Sequence, residues 1–183
     1  MTREDGLDVE ALLRVADELA IRNLLARYCR GIDRLDRQLV RSCYHDDATD
    51  KHGTFEGTVE EFLDWSFELL ERFSRTMHFL GTTLVEFPDD RPDVAAAESY
   101  GVAVHVREGG RQQDNWTSGF RYVDRLERRP AGSGGRGDWK IAARVVAVEW
   151  TRSDPVDLEL PITGDVTRGV RNRDDPVYHV LDR

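Results

Sequence analysis

The apolar residues of this chain change their period once, and that change constrains the fold more than any other feature. Up to about residue 73 they recur every three to five positions, as on one side of a helix. From His78 onward they fall in long β-prone runs separated by turn residues. Helices followed by consecutive strands with short connections define an α+β chain whose strands form an antiparallel meander.

The helical part divides into three segments. Leu12, Val15, Leu19, Leu24, Tyr28 and Ile32 mark a helix from about Val9 to Ile32. A short helix spans Arg37 to Cys43 behind Asp36, a residue type suited to an N-cap. A third runs from Val59 to Phe73, where Thr58 and Glu61 have the spacing of a capping box. Between them, residues 44–57 are polar and punctuated by glycine, which reads as a loop with at most a short strand. Strands are expected over His78–Phe87, Val94–Val106, Asn115–Leu126 and Trp139–Thr151, with turns at 88–90, 108–110 and 130–137. The last segment, 152–183, carries three prolines, many charges and little periodicity. It is expected to be an extension to a domain spanning 1–151, lying on its surface or on a neighbouring subunit, or else a partly disordered tail.

Composition narrows the function. With 26 basic and 35 acidic residues, the formal charge of −9 disfavours binding to nucleic acid or to an anionic membrane. No apolar run reaches the roughly 20 residues of a membrane span, and the N-terminus has no signal-peptide pattern, so a cytoplasmic location is expected. Cys29 and Cys43 make neither a disulfide framework nor a metal site. No phosphate-binding loop, dinucleotide fingerprint or nucleophile elbow occurs.

Several residues could carry chemistry. Asp33 ends the first helical stripe, where a carboxylate is either turned toward the core or solvated in a turn. His78 opens the first long strand between Met77 and Phe79; it is either a hydrogen-bonded core residue or a proton-transfer group. Arg144 sits mid-strand among small apolar residues and needs a partner, such as a strand-face salt bridge. Strict alternation places it with Lys140, Ala142, Val146 and Val148, opposite Trp139 and Ile141. His52 and His105 are weaker candidates. His45, Asp46, Asp47, Asp50 and His52 lack the ordered spacing of a metal site and read as a solvated loop.

Three separated elements carry a family resemblance. They are Tyr28-Cys29-Arg30-Gly31-Ile32-Asp33 followed by CYHDDATDKHGTFEG, then TMHFLGTTLVEF, then WKIAARVVAVEW. Over roughly residues 10–151 the chain resembles the SnoaL-like branch of the nuclear transport factor 2-like superfamily. Within it, the chain is similar to the group of scytalone dehydratase, bile acid 7α-dehydratase and lindane dehydrochlorinase. The resemblance implies a cone-shaped, strongly curved antiparallel sheet packed on N-terminal helices and enclosing a pocket. It implies an Asp–His dyad at Asp33 and His78, no cofactor and no metal, with Tyr28, His52, His105 and Arg144 as substrate-binding residues. A pocket tyrosine of the dehydratases falls near His52, where this chain departs from the pattern. The implied activity is that of a lyase or isomerase acting on a small hydrophobic cyclic substrate, such as a polyketide or steroid. The same superfamily supplies non-catalytic binding modules and structural subunits of ring-hydroxylating dioxygenases, which is the alternative. A homo-oligomer is implied, a trimer in preference to a dimer.

Overall fold

The computed structural model describes residues 8–107, 115–130, 135–155 and 163–180. The expected turn at 108–110 and residues 131–134 of that at 130–137 lie outside them. The helices are α1 (Val9–Asp33), α2 (Arg37–Ser42) and α3 (Val59–Leu70). Each starts where a side chain takes up orphan backbone N–H groups. Asp8 accepts from Glu10 and Ala11, Asp36 accepts from Leu39, and Thr58 with Glu61 completes the capping box. The strands are β1 (Tyr44–His52), β2 (Phe55–Thr58), β3 (Arg75–Glu86), β4 (Val94–Val106), β5 (Asn115–Arg128) and β6 (Trp139–Asp154).

The six strands form one sheet in the order β2-β1-β6-β5-β4-β3. The expected meander is present from β3 to β6, all antiparallel. The sheet as a whole is mixed, because β1 pairs with β6 in parallel. That corrects the purely antiparallel expectation. It also corrects the reading of residues 44–57 as a loop, since β1 and β2 form a hairpin closed at Gly53, whose φ of +62° suits glycine. The alternating burial of β1 is hidden in the sequence because its inward positions include Asp50 and His52 rather than apolar residues.

Register shifts interrupt the ladder between Leu80 and Thr83 of β3, and twice along the β5–β6 pair. Extra residues bend the strand that carries them and sharpen its twist. The sheet therefore curls around α1 and α3 into an open cone. Its inner face buries Ala95, Ala97, Phe120, Tyr122, Leu126 and Ile141 against Ile21, Leu24, Leu25, Tyr28, Phe62 and Leu63 of the helices. One bulge changes the facing of β6. Arg125 pairs with Ala143 and Leu126 with Ile141, leaving Ala142 as the extra residue. Trp139, Ile141 and Arg144 are all buried as a result, where strict alternation had put Arg144 on the opposite face.

The helical stripe is only half used. Leu24, Tyr28 and Ile32 are buried, whereas Leu12, Val15 and Leu19 are exposed. The N-terminal half of α1 instead meets the sheet through Asp17, which accepts from Arg128 and from the Trp139 indole N–H.

Past β6, the described residues 163–180 lie over the turn between α1 and α2. Asp175 pairs with Arg34 at 3.1 Å, and the Tyr178 hydroxyl donates to Asp36 at 2.9 Å. Arg171 donates to the main-chain carbonyls of Asp33, Leu70 and Phe73, at 3.3, 2.8 and 2.5 Å. Those carbonyls belong to the C-terminal ends of α1 and α3, so one guanidinium joins both helix ends.

Candidate functional site

The mouth of the cone holds a cavity of about 410 Å³ between α1, α3 and the curled sheet. Its wall is mostly apolar and aromatic: Ile32, Phe62, Trp65, Leu69, Trp116, Phe120, Val146 and Val148. The polar groups on it include Tyr28, His52, His78, His105 and Tyr122.

Asp33 and His78 meet although 45 positions separate them. Asp33 is the last residue of α1 and is buried at 6 % exposure, so the solvated-turn alternative does not hold. Its Oδ1 lies 2.7 Å from His78 Nδ1 and also accepts from the Thr76 hydroxyl at 3.0 Å. Its Oδ2 accepts from the His78 main-chain N–H at 2.8 Å. Burial pushes the Asp33 carboxyl up, but the imidazole, the main-chain N–H and the hydroxyl together outweigh it and hold the acid below its ordinary range. An ionised Asp33 only accepts, so Nδ1 carries the proton of the neutral ring and the Nε2 lone pair is left free. The ring belongs to the cavity wall.

His105 stands beside the pair, its ring 5.6 Å from that of His78 and stacked on Trp116 at 4.7 Å. Burial pushes its pKa down to about 3, so it is neutral at physiological pH. It lies on the β4 face shared with Ala103. Tyr28 lies near the end of α1, in edge contact with Tyr44 and Tyr122. Burial raises its pKa well above the ordinary value, despite the opposing charge of Arg144, so it is available as an O–H donor. His52 closes the far wall at the tip of the β1–β2 hairpin, stacked on Phe62.

Arg144 is not on the cavity wall, which corrects its expected role in substrate binding. Its side chain is fully buried and binds Asp124 through two hydrogen bonds of 2.7 and 2.8 Å. The guanidinium lies between the rings of Tyr28 and Tyr122, 4.1 and 3.9 Å from their centroids. It therefore supports two cavity residues from behind. Asp124 went unremarked in the sequence; the signal available was an acid in the strand before a buried arginine, at the position a hairpin would pair with it.

Among the described residues, no group of three or more His, Cys, Asp or Glu side chains is arranged to hold a metal ion. Cys29 and Cys43 are both free and buried. No helix of the described residues is long and apolar enough to cross a membrane.

The comparisons agree with this fold. The family model described as a SnoaL-like domain matches residues 13–145. Among solved structures, the hexachlorocyclohexane dehydrochlorinase LinA-type3 from Novosphingobium barchaimii superposes with a TM-score of 0.68 at 17% identity, covering 83% of this chain and 99% of that one. A protein provisionally assigned as a scytalone dehydratase from Novosphingobium aromaticivorans gives a TM-score of 0.65 at 15% identity, covering 80% and 97%. A protein of unknown function from Mycobacterium tuberculosis gives 0.60 at 23%, covering 80% and 78%. These likenesses establish the shared fold. No curated protein matches the chain.

Proposed function

This chain belongs to the SnoaL-like domain family, and from that premise we propose that it is a cofactor-independent lyase or isomerase acting on a small cyclic molecule. The observation that carries the proposal is the 2.7 Å contact between Asp33 Oδ1 and His78 Nδ1, with the imidazole on the wall of a ligand-sized cavity. Asp33 sets the tautomer and stabilises the imidazolium that forms. His78 Nε2 removes a proton from a carbon next to an activating carbonyl. The electron pair then expels a leaving group from the adjacent carbon, as in dehydration, or returns to a different position, as in isomerisation. Tyr28 donates to the carbonyl oxygen as negative charge builds there.

The cavity volume falls within the roughly 300–1,000 Å³ of small-molecule sites, and its apolar lining suits a ring system such as a polyketide or steroid. An open cavity supports this reading over that of a structural subunit, for which a filled cone is expected. A cytoplasmic location goes with such a substrate. The outer face of the sheet exposes Phe79, Tyr100 and Trp150, which supports a homo-oligomer, and the resemblance to the dehydratase group favours a trimer over a dimer. Sedimentation of the chain as a monomer at micromolar concentration would overturn that part.

The test uses cyclic β-hydroxyketones in D₂O. Wild-type protein is expected to exchange the proton α to the carbonyl and to form the conjugated enone. Absence of both reactions across one-, two- and four-ring substrates, or their persistence in both Asp33→Asn and His78→Ala, would overturn the proposal.

A further inference from the structure

A second carboxylate–imidazole pair lies at the same cavity. Asp50 and His52 are two apart on β1, so both project from the inner face. Asp50 is 1 % exposed. Its Oδ2 accepts from the Tyr44 hydroxyl at 2.7 Å, while Oδ1 is buried without a hydrogen-bond partner among the described residues. That oxygen lies 3.5 Å from His52 Nδ1, which is buried and also without a hydrogen-bond partner there. The separation is in ion-pair range and longer than a formed hydrogen bond, as is common for catalytic contacts before substrate arrives.

The strand register accounts for the charge. Asp124 of β5 pairs with Arg144 of β6, and Arg144 pairs in turn with Asp50 of β1. Arg144 commits two nitrogens to Asp124. With both carboxylates ionised, this row of one cation and two anions carries one uncompensated negative charge under the cavity floor. The imidazole facing it is that of His52, whose ring belongs to the cavity wall. The ring is held in place by Phe62, Trp65 and Tyr122, at centroid distances of 5.3, 5.9 and 6.4 Å. With Nδ1 turned to Asp50, Nε2 is the nitrogen left for a ligand.

We propose that His52 is a second catalytic residue, the proton donor to the leaving group, and that Asp50 is its positioning residue. The proposal rests on the His78 reading above. In a dehydration, the C–H pair goes to form the carbon–carbon double bond as His78 Nε2 takes the proton. The carbon–oxygen bond breaks, and its pair leaves with the oxygen. That oxygen takes the Nε2 proton of an imidazolium at His52 and departs as water. His78 has gained one proton and His52 has lost one, and exchange with solvent after release restores both. The chain thereby favours leaving groups that need a proton, hydroxyl above all.

The experiment compares two probes that differ only in the leaving group, 3-hydroxy-1-indanone and 3-chloro-1-indanone. Both give the same enone, and chloride departs without a proton. In wild type, His78-dependent exchange at the α carbon is followed alongside enone formation. His52→Gln is expected to lower the ratio of hydroxyl loss to chloride loss by about 10²–10⁴-fold. Asp50→Asn retains the shape beside Tyr44, and it is expected to shift the hydroxyl-to-chloride ratio in the same direction by about tenfold or more. A structural defect would depress both probes together. Equal effects on the two probes in both variants would overturn the second pair and leave the first intact. A wild-type protein that neither exchanges the proton nor releases either leaving group would overturn the His78 reading, and this proposal with it.

Discussion

Asp33 binds His78 at two points, taking the ring Nδ1 on one oxygen at 2.7 Å and the main-chain N–H on the other at 2.8 Å. Ring and backbone are thus referred to the same carboxylate, and that carboxylate ends a helix whose last carbonyl is tied down by Arg171. The geometry of the pair is set by the meeting of α1 with β3.

Asp33→Asn is expected to leave the fold in place and lower turnover by about 10²–10⁴-fold, because an amide no longer dictates the tautomer or stabilises an imidazolium. Thr76→Val removes only one hydrogen bond to Asp33, on the order of 1 kcal/mol, and should cost about fivefold. Measured kcat beside thermal unfolding of each variant checks both. Unchanged kcat in Asp33→Asn would remove the carboxylate from the mechanism.

His105 makes stability depend on pH. Its pKa is held down to about 3 from an ordinary 6.5, so the unfolded chain takes up this proton first as the pH falls. The contribution is complete above pH 6.5 and is lost progressively between about 6.5 and 3. At pH 5 the loss from this one residue is about 2 kcal/mol. Asp33, held below the ordinary carboxylate range, adds a loss of the same sign at more acidic pH. Urea unfolding at pH 7 and pH 5 should show His105→Phe losing about 2 kcal/mol less than wild type over that interval. Equal losses in the two proteins would contradict the burial of a neutral ring.

Arg144 and Asp124 behave as one unit. Arg144→Met leaves a carboxylate buried at 2 % exposure without its cation, and a loss of about 3–5 kcal/mol is expected. The double variant Arg144→Met/Asp124→Leu should recover most of it, since an apolar pair needs no desolvation of charge. Arg144→Lys should not, because an ammonium cannot supply two parallel N–H donors. A double-mutant cycle by urea unfolding measures the coupling, and additive single effects would show that the pair is not a unit.

Arg171 is the tie between the C-terminal segment and the helix ends. Arg171→Met removes charged donors from three carbonyls, a cost of about 1–3 kcal/mol in a half-buried setting. Limited trypsin digestion is expected to cut such a variant faster at Arg173, whose guanidinium lies 3.1 Å from Asp36. Digestion at the wild-type rate would mean that the segment is held by its other contacts alone.

The starts of α1, α2 and α3 follow from Asp36, Thr58 and the onset of helical periodicity, and β3 to β6 follow from β-prone runs between turns. Those signals are local, because a cap or a turn is satisfied within a few residues of itself. Asp33 and His78 were individually ambiguous for the opposite reason. Nothing within ten residues of Asp33 distinguishes a carboxylate in a solvated turn from one buried against a strand 45 positions later, and the family resemblance supplied the link between them.

The chain by itself determined its helices, their starts and its meander, since periodicity and capping act over one or two turns. The tertiary structure decided which polar residues go inside. A single extra residue at Ala142 turned Arg144 inward to Asp124, and parallel pairing of β1 with β6 brought Asp50 and His52 to the cavity. Register between distant strands obeys the packing of the whole sheet, and a shift of one residue exchanges its faces. The Asp33–His78 pair, the buried charges behind the wall and the cavity itself all depend on that register.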